Sequence, residues 1–309
     1  MARADLTFST TGMPRTVPHD GIAFREDIGF ANSKGNEKKA IHRGAENILG
    51  KLAGPLRKSL QKDEAVFCVC RALTPMNLLE RYTFRSVAYY VAGCALVVTN
   101  KRLLAFRTNP RGKWTKSVRE VPWSDVRRAR TSGWLGGFLT LEYRTGKKET
   151  YWGISGTDKG RFKALTSRLI EESRNEAPGA GEMRASCPEC SGVLQTHVYE
   201  CPQCGLVFKN EGEIYWRALI PGLSYIYTGH PVLALLDGLG EASGVLLLLV
   251  GAIGIAQGAS DVVVPFVAGA IIFGVNYLIC LQHNLRFVRE FLPTEERRGT
   301  VGVGMRAAA

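Results

Sequence analysis

Nothing in the first 44 residues supplies an apolar run. A secretory signal needs a basic start, about 7 to 15 apolar residues and a small-residue cleavage site, and the middle part is missing before residue 45. The expectation is an amino terminus that stays in the cytoplasm. Acidic residues are also scarce, 28 Asp and Glu against 40 Lys and Arg, for a net charge of +12. That excess favours an anionic partner, a membrane surface or nucleic acid, without choosing between them. A catalytic constellation is absent as well. Gly251-Ala252-Ile253-Gly254 lies in an apolar stretch with no phosphate-loop context, so hydrolase, kinase and dinucleotide chemistry have no motif to rest on and no enzyme is expected. With 45% hydrophobic and 22% charged residues over 309 positions, a wholly disordered chain is excluded.

A mean hydropathy of −0.04 is that of a soluble protein, yet it averages a charged first two thirds with a final third that is almost free of charge until about residue 285. The first 44 residues, rich in Thr, Ser, Gly, Asn and Lys without apolar period, read as a disordered tail. From Ala45 to Leu60, Ile48, Leu49, Leu52, Leu56 and Leu60 recur at helical spacing, with Lys51, Arg57 and Lys58 elsewhere on the wheel. This predicts an amphipathic helix bent or split at Pro55. It either packs on the following domain or lies at a membrane interface.

Between Glu64 and Glu172 the pattern is strands closed by one helix. Strands are predicted over 66–70, 94–98, 103–106, 116–121 and 124–129, with Pro122 as a break, and a hairpin joins 138–143 to 148–152 through Thr145-Gly146-Lys147. From Asp158 to Glu172, Phe162, Leu165, Leu169 and Ile170 share a helical face, with Thr157 or Asp158 as cap. The run from Ala95 to Phe106 through Thr99-Asn100-Lys101-Arg102, the later Val121-Pro122-Trp123-Ser124-Asp125-Val126 and the closing helix resemble bacterial pleckstrin-homology-like and GRAM-like domains. The resemblance covers about a third of the chain and implies a partly open barrel of about seven strands plugged by the last helix. The Leu78 to Val91 segment, rich in Arg and Tyr, departs from it. The ligand does not follow from such a likeness.

Residues 174–186 have linker composition, and after them four of the eight cysteines stand as Cys187-Pro-Glu-Cys190 and Cys201-Pro-Gln-Cys204-Gly205. Two such knuckles bring four thiolates to one tetrahedral centre of the kind Zn²⁺ prefers, the alternatives being a redox dithiol, two disulfides or an iron–sulfur cluster. The stretch resembles a short zinc ribbon, too small for a core of its own, so the metal would supply most of its folding energy. Four thiolates leave no open coordination position and make metal-assisted hydrolysis improbable on chemical grounds. His197 is read as a surface residue, and Cys68, Cys70, Cys94 and Cys280 as buried thiols. Zinc thiolates point to a reducing compartment.

Residues 242–260 and 262–281 are free of charge and each long enough to cross a bilayer core of about 30 Å. A tight turn at Ala259-Ser260-Asp261 would make them a hairpin. Lys209 and Arg217 precede it and Arg286, Arg289, Arg297 and Arg298 follow, so both termini are placed in the cytoplasm, at the cytoplasmic (inner) membrane. Asp237 and Glu241 share a helical face and are read as headgroup-level or capping groups, with a proton or cation path as the alternative. Asn276 is read as an interhelical hydrogen-bond partner. Gly240 with Gly244, Gly254 with Gly258 and Ala270 with Gly274 offer small-residue faces to the other span or to a second subunit. The preceding Leu219 to Pro231 stretch resembles the start of two-span TM2-like membrane domains.

Ten basic and two acidic residues lie between Lys101 and Arg130. Lys101, Arg102, Arg107, Arg111, Lys113, Lys116, Arg127, Arg128 and Arg130 form the candidate anionic surface, the alternative being ordinary solvated strand edges and hairpin tips. The resulting expectation is an α+β multi-domain membrane protein: tail 1–44, PH-like domain with preceding helix 45–173, linker 174–186, zinc ribbon 187–209, membrane domain 210–284 and cytoplasmic tail 285–309. Its role would be a cytoplasm-facing adaptor that holds Zn²⁺ and binds a protein partner, a second copy or anionic lipid. A channel component and a membrane-tethered nucleic-acid binder are the alternatives, and nucleic acid is disfavoured because no base-stacking motif accompanies the charge.

Overall fold

The computed structural model describes residues 17–19, 21–30, 39–77, 80–81, 87–133, 137–179, 181–259 and 262–294. Expectations for the rest of the first 44 residues, for much of the Leu78 to Val91 segment, for the turn at 260–261 and for 295–309 lie outside them. The chain divides into two compact units, Met1–Gln195 with Pro202–Cys204 and Thr196–Cys201 with Gly205–Ala309.

In the first unit, chain order runs β1 (Val17–His19), β2 (Ile22–Phe24), α1 (Glu26–Gly29), α2 (Lys39–Ser59), β3 (Val66–Leu73), α3 (Ala88–Ala92), β4 (Gly93–Thr99), β5 (Arg102–Thr108), β6 (Trp114–Pro122), β7 (Val126–Ser132), β8 (Gly137–Tyr143), β9 (Lys148–Ile154), α4 (Gly156–Glu172), β10 (Arg184–Ser186) and β11 (Val193–Leu194). Strands β3 to β9 form two antiparallel meanders that meet where Leu73 of β3 faces Trp152 of β9. Among the described residues no pairing joins β6 to β7, and α4 packs on β7 and β8. The seven strands β3 to β9, here called the barrel, share one apolar core with α4.

The near-continuous apolar runs of β3 to β5 follow from burial on both faces. Cys68, Cys70, Leu96, Val98 and Leu103 point into the barrel with Trp123, Phe162, Leu165 and Leu169. Val69, Val97, Leu104, Phe106 and Val118 point outward and are covered by Ala45, Ile48, Leu49, Leu52 and Leu56 of α2. The helix thus packs on the barrel and is not free for a membrane surface. It starts at Lys39, and Pro55 lies inside it.

Other differences have physical causes. Part of the stretch read as a disordered tail is built into the core: β2 pairs with β3, and Ile22, Phe24, Ile28 and Phe30 are buried. These few apolar residues are masked in the composition by polar neighbours. Trp123–Asp125 is a 3-10 turn ahead of β7, and α4 is capped by Ser155, whose hydroxyl accepts the N–H of Asp158. The 174–186 stretch is more than a linker: Met183 joins the barrel core and β10 pairs with β6, Arg184 opposite Glu120. This covers a sheet edge whose backbone groups otherwise need partners.

The second unit contains α5 (Glu211–Arg217), α6 (Leu223–Thr228), α7 (Pro231–Ala256) and α8 (Val263–Arg289). Helices α7 and α8 are long and apolar enough to cross a membrane, and in the most apolar 18 residues of each only 22% and 11% are buried. Such exposure is the reverse of a soluble core helix. Their backbones approach closely at Gly244 and Gly269. A Cβ on Gly269 would meet the Leu248 nitrogen at 2.7 Å, and one on Gly244 the Phe273 nitrogen at 2.9 Å.

Candidate metal centre and binding surfaces

The two cysteine knuckles are built alike. The N–H of Ser191 bonds the Cys187 carbonyl and that of Gly205 the Cys201 carbonyl, each at 2.9 Å. Cys187 N–H in turn reaches Gly192 O at 2.8 Å, and Cys201 N–H reaches Leu206 O at 2.9 Å. Each turn closes on a left-handed residue, Ser191 at φ 58° and Gly205 at φ 69°. The cysteine spacing announces the glycine; nothing in it announces the serine.

These turns bring the sulfurs of Cys187, Cys190, Cys201 and Cys204 within 4.8 Å of one another. Cys187 and Cys204 are 3.6 Å apart at sulfur. A tetrahedral ZnS₄ centre with arms of about 2.3 Å has edges of about 3.8 Å, so the four thiols fit a metal of that size. Burial pushes the Cys187 thiol up from its ordinary value. His197 is exposed, with Nδ1 3.9 Å from Glu211 Oε2, and does not belong to the cluster.

The first knuckle is continuous with the barrel. Ser186 of β10 lies opposite Val193 of β11, the strand that follows Cys190, and β10 itself lies on β6. Lys58 at the end of α2 pairs with Glu189 at 3.0 Å, and the Ser191 hydroxyl bonds the Lys58 carbonyl at 3.1 Å.

The nine candidate cations do not form one surface. Arg102 is 6% exposed and pairs with Glu64 at 2.9 Å and with Glu120. Arg107 is buried and donates to the Val91 carbonyl. Both are internal cations, which a count of charge along the chain cannot distinguish from surface ones. Lys101 sits at the β4–β5 turn, while Arg111 and Lys113 lie beyond the opposite end of β5, a strand of seven residues at about 3.3 Å each. Lys116 is half-buried on β6. Arg127, Arg128 and Arg130 are exposed on β7, the far edge of the sheet order, with Arg127 3.8 Å from Glu142.

The Thr99-Asn100-Lys101-Arg102 turn is likewise structural. Thr99 Oγ1 accepts the Arg102 N–H at 3.0 Å and donates to Glu64 Oε1 at 2.7 Å, Asn100 Oδ1 accepts the Ala65 N–H, and the Trp123 indole N–H reaches Thr99 O at 2.9 Å. Glu64, the partner that sequence reading missed, carries no periodicity or motif. Beside this turn opens a cavity of about 790 Å³ whose charged lining, Arg25 and Arg57 with Asp63, Glu64 and Glu172, has both signs. Mixed charge does not select a polyanion.

In the helical unit, Tyr215, Trp216, Leu219, Ile220 and Ile226 are exposed, and Arg217 stacks 4.6 Å over Trp216 and 4.5 Å over Tyr227. Aromatic and basic side chains of this kind suit a membrane–water interface. Asn276 donates to Ile272 O of its own helix at 2.9 Å rather than across to α7, where its side chain rests against Gly240. Ala270 is exposed and Gly274 has open space beside it, so this pair lies off the α7–α8 contact. Asp237 is partly exposed, whereas Glu241 is 1% exposed and its Oε2 accepts the Gly222 N–H at 3.2 Å.

No protein-family model matches this chain, and no curated protein matches it. Among solved structures it is similar to the Vps36 N-terminal PH domain (14% identity, 37% of this chain and 83% of that one, TM-score 0.27). It is also similar to a pleckstrin homology domain from Shewanella amazonensis (20% identity, 40% and 98%, TM-score 0.26) and to the hSac2 domain of human phosphoinositide phosphatase Sac2 (12% identity, 42% and 80%, TM-score 0.27). At such scores nothing about ligands is carried over.

Proposed function

We propose that this chain is a non-enzymatic membrane adaptor, in which the α7–α8 pair anchors a barrel and a zinc ribbon that together present one docking surface to a partner protein in the cytoplasm. The observation that carries the reading is the sheet that runs from β6 through β10 to β11. It makes the first knuckle an extension of the barrel edge instead of a tethered bead, so a partner can read both at once. Anionic headgroups are a secondary ligand, met by Arg127, Arg128 and Arg130, each worth about 1 kcal/mol near a charged bilayer.

Affinity capture of the full chain in mild detergent tests this. A defined protein should co-purify with the wild type at stable stoichiometry and be lost from a variant with the four ribbon cysteines changed to Ser. Retention by that variant would refute the docking role. Ion flux in proteoliposomes abolished by Asp237→Asn with Glu241→Gln would favour a transport component instead.

A further inference from the structure

Polar side chains of the helical unit converge on one point. Asp237 and Glu241, one turn apart on α7, and Cys280 on α8 each bring one donor atom within 4.8 Å of the others. Glu241 and Cys280 are 1% and 0% exposed. The Gly222 amide holds Glu241 Oε2, while Glu241 Oε1 and Asp237 Oδ2 are buried with no hydrogen-bond partner. Among the described residues neither carboxylate has an ion pair.

The sulfur has its own set of neighbours. Ser224 Oγ lies 2.9 Å from Cys280 Sγ and Asn284 Nδ2 lies 3.5 Å from it. Asn284 Nδ2 donates its two hydrogens to the Cys280 carbonyl at 2.8 Å and to Ser224 Oγ at 3.2 Å, which leaves the serine hydrogen for the sulfur. A hydroxyl donor aimed at a sulfur is the kind of outer partner a thiolate ligand has. Held ionised together, two carboxylates and a thiolate would cost several kcal/mol per ion, which either protons or a cation must offset. One bound cation offsets all three.

The geometry points to a second metal site, formed by Asp237, Glu241 and Cys280, that takes a divalent transition ion of the Zn²⁺ class and is separate from the four ribbon cysteines. The donor set selects the ion. Mg²⁺ and Ca²⁺ take about six or more oxygens, and soft ions prefer all-sulfur sites, whereas one thiolate with two carboxylates is of borderline softness. Three protein ligands on a tetrahedral ion leave one position open. Ser224 and Asn284 position the sulfur, and Gly222 positions Glu241. The carboxylates lie about 9 Å and 15 Å along α7 from Pro231 at 1.5 Å per residue, on the side where α7 begins and α8 ends. The inference rests on the helical unit alone and survives failure of the adaptor reading.

The test is metal stoichiometry of the full chain, purified in detergent, saturated with Zn²⁺ and freed of excess. Two equivalents per chain are expected, falling to one when the four ribbon cysteines are Ser and to one in Asp237→Asn/Glu241→Gln or Cys280→Ser. Loaded with Co²⁺, the ribbon-less variant should show a sulfur-to-cobalt charge-transfer band that Cys280→Ser removes. One equivalent in the wild type that both Cys280→Ser and Asp237→Asn/Glu241→Gln leave in place, or none at all, overturns the proposal. So does a second equivalent that persists in both Asp237→Asn/Glu241→Gln and Cys280→Ser.

Discussion

Arg102 on β5 reaches Glu64 ahead of β3 with Nη2 2.9 Å from Oε2, both side chains out of solvent. The same guanidinium holds Glu120 and, at 2.5 Å, the Ser59 carbonyl at the end of α2. One buried cation therefore joins the covering helix, the barrel and the β4–β5 turn.

Removing one partner of such a pair strands the other. Arg102→Ala, which strands both Glu64 and Glu120, should lower the unfolding free energy by about 3–5 kcal/mol, and Arg102→Met with Glu64→Leu and Glu120→Leu by less. Denaturant unfolding of the full chain, followed by the fluorescence of buried Trp123, measures both. Equal losses would mean that the pair is not the source.

The ribbon knuckles give a matched pair of substitutions. A non-glycine residue in the left-handed region costs about 1–2 kcal/mol, so Ser191→Gly should slow zinc loss to a chelator and Gly205→Val should speed it. Each shift is roughly tenfold. Ser191→Gly without effect, in a ribbon that still loads metal, would contradict the shared knuckle geometry.

Thiol chemistry separates the two kinds of cysteine. Burial in the barrel pushes the Cys68 thiol up to about 12 and raises Cys70 well above its ordinary value. At pH 8 roughly one part in ten thousand of Cys68 is thiolate, on top of steric protection. After chelation, maleimide should modify the four ribbon cysteines of the native chain, while Cys68, Cys70 and Cys94 react only on unfolding, as mass spectrometry would record. Rapid modification of Cys68 in the folded chain would contradict its burial.

Helix packing predicts an asymmetry between glycines. Gly269→Val places atoms against the Leu248 nitrogen and should lower the melting temperature in detergent by several degrees, in line with overpacking costs of about 1–3 kcal/mol. Gly274→Val meets open space and should be silent. A large loss at Gly274 would mean that a second copy or another protein covers that face.

The barrel was legible because strands buried on both faces leave long apolar runs, and the ribbon because four thiols at knuckle spacing have few other uses. What the sequence hides is destination. The amphipathic period of α2 specifies an apolar face without saying whether protein or lipid meets it, and here Val97, Leu104 and Phe106 do. Arg102 and Arg107 read as surface charge because their acceptors, Glu64 and the Val91 carbonyl, are distant in sequence. Arg184–Ser186 read as linker because three residues are too few for a strand signal, and an open barrel edge supplies the pairing. Asp237 and Glu241 declared a shared helical face, but Cys280, 39 positions beyond Glu241, completes their cluster only through the α7–α8 contact.

Protease accessibility from the two sides of sealed membranes tests the anchoring most directly. With both soluble modules in the cytoplasm and the α7–α8 pair in the bilayer, protease outside intact cells should leave the chain whole, and protease added to inverted vesicles should digest the barrel and ribbon down to the helical hairpin. Trimming from outside intact cells, or recovery of the chain in the soluble fraction without detergent, would contradict the account.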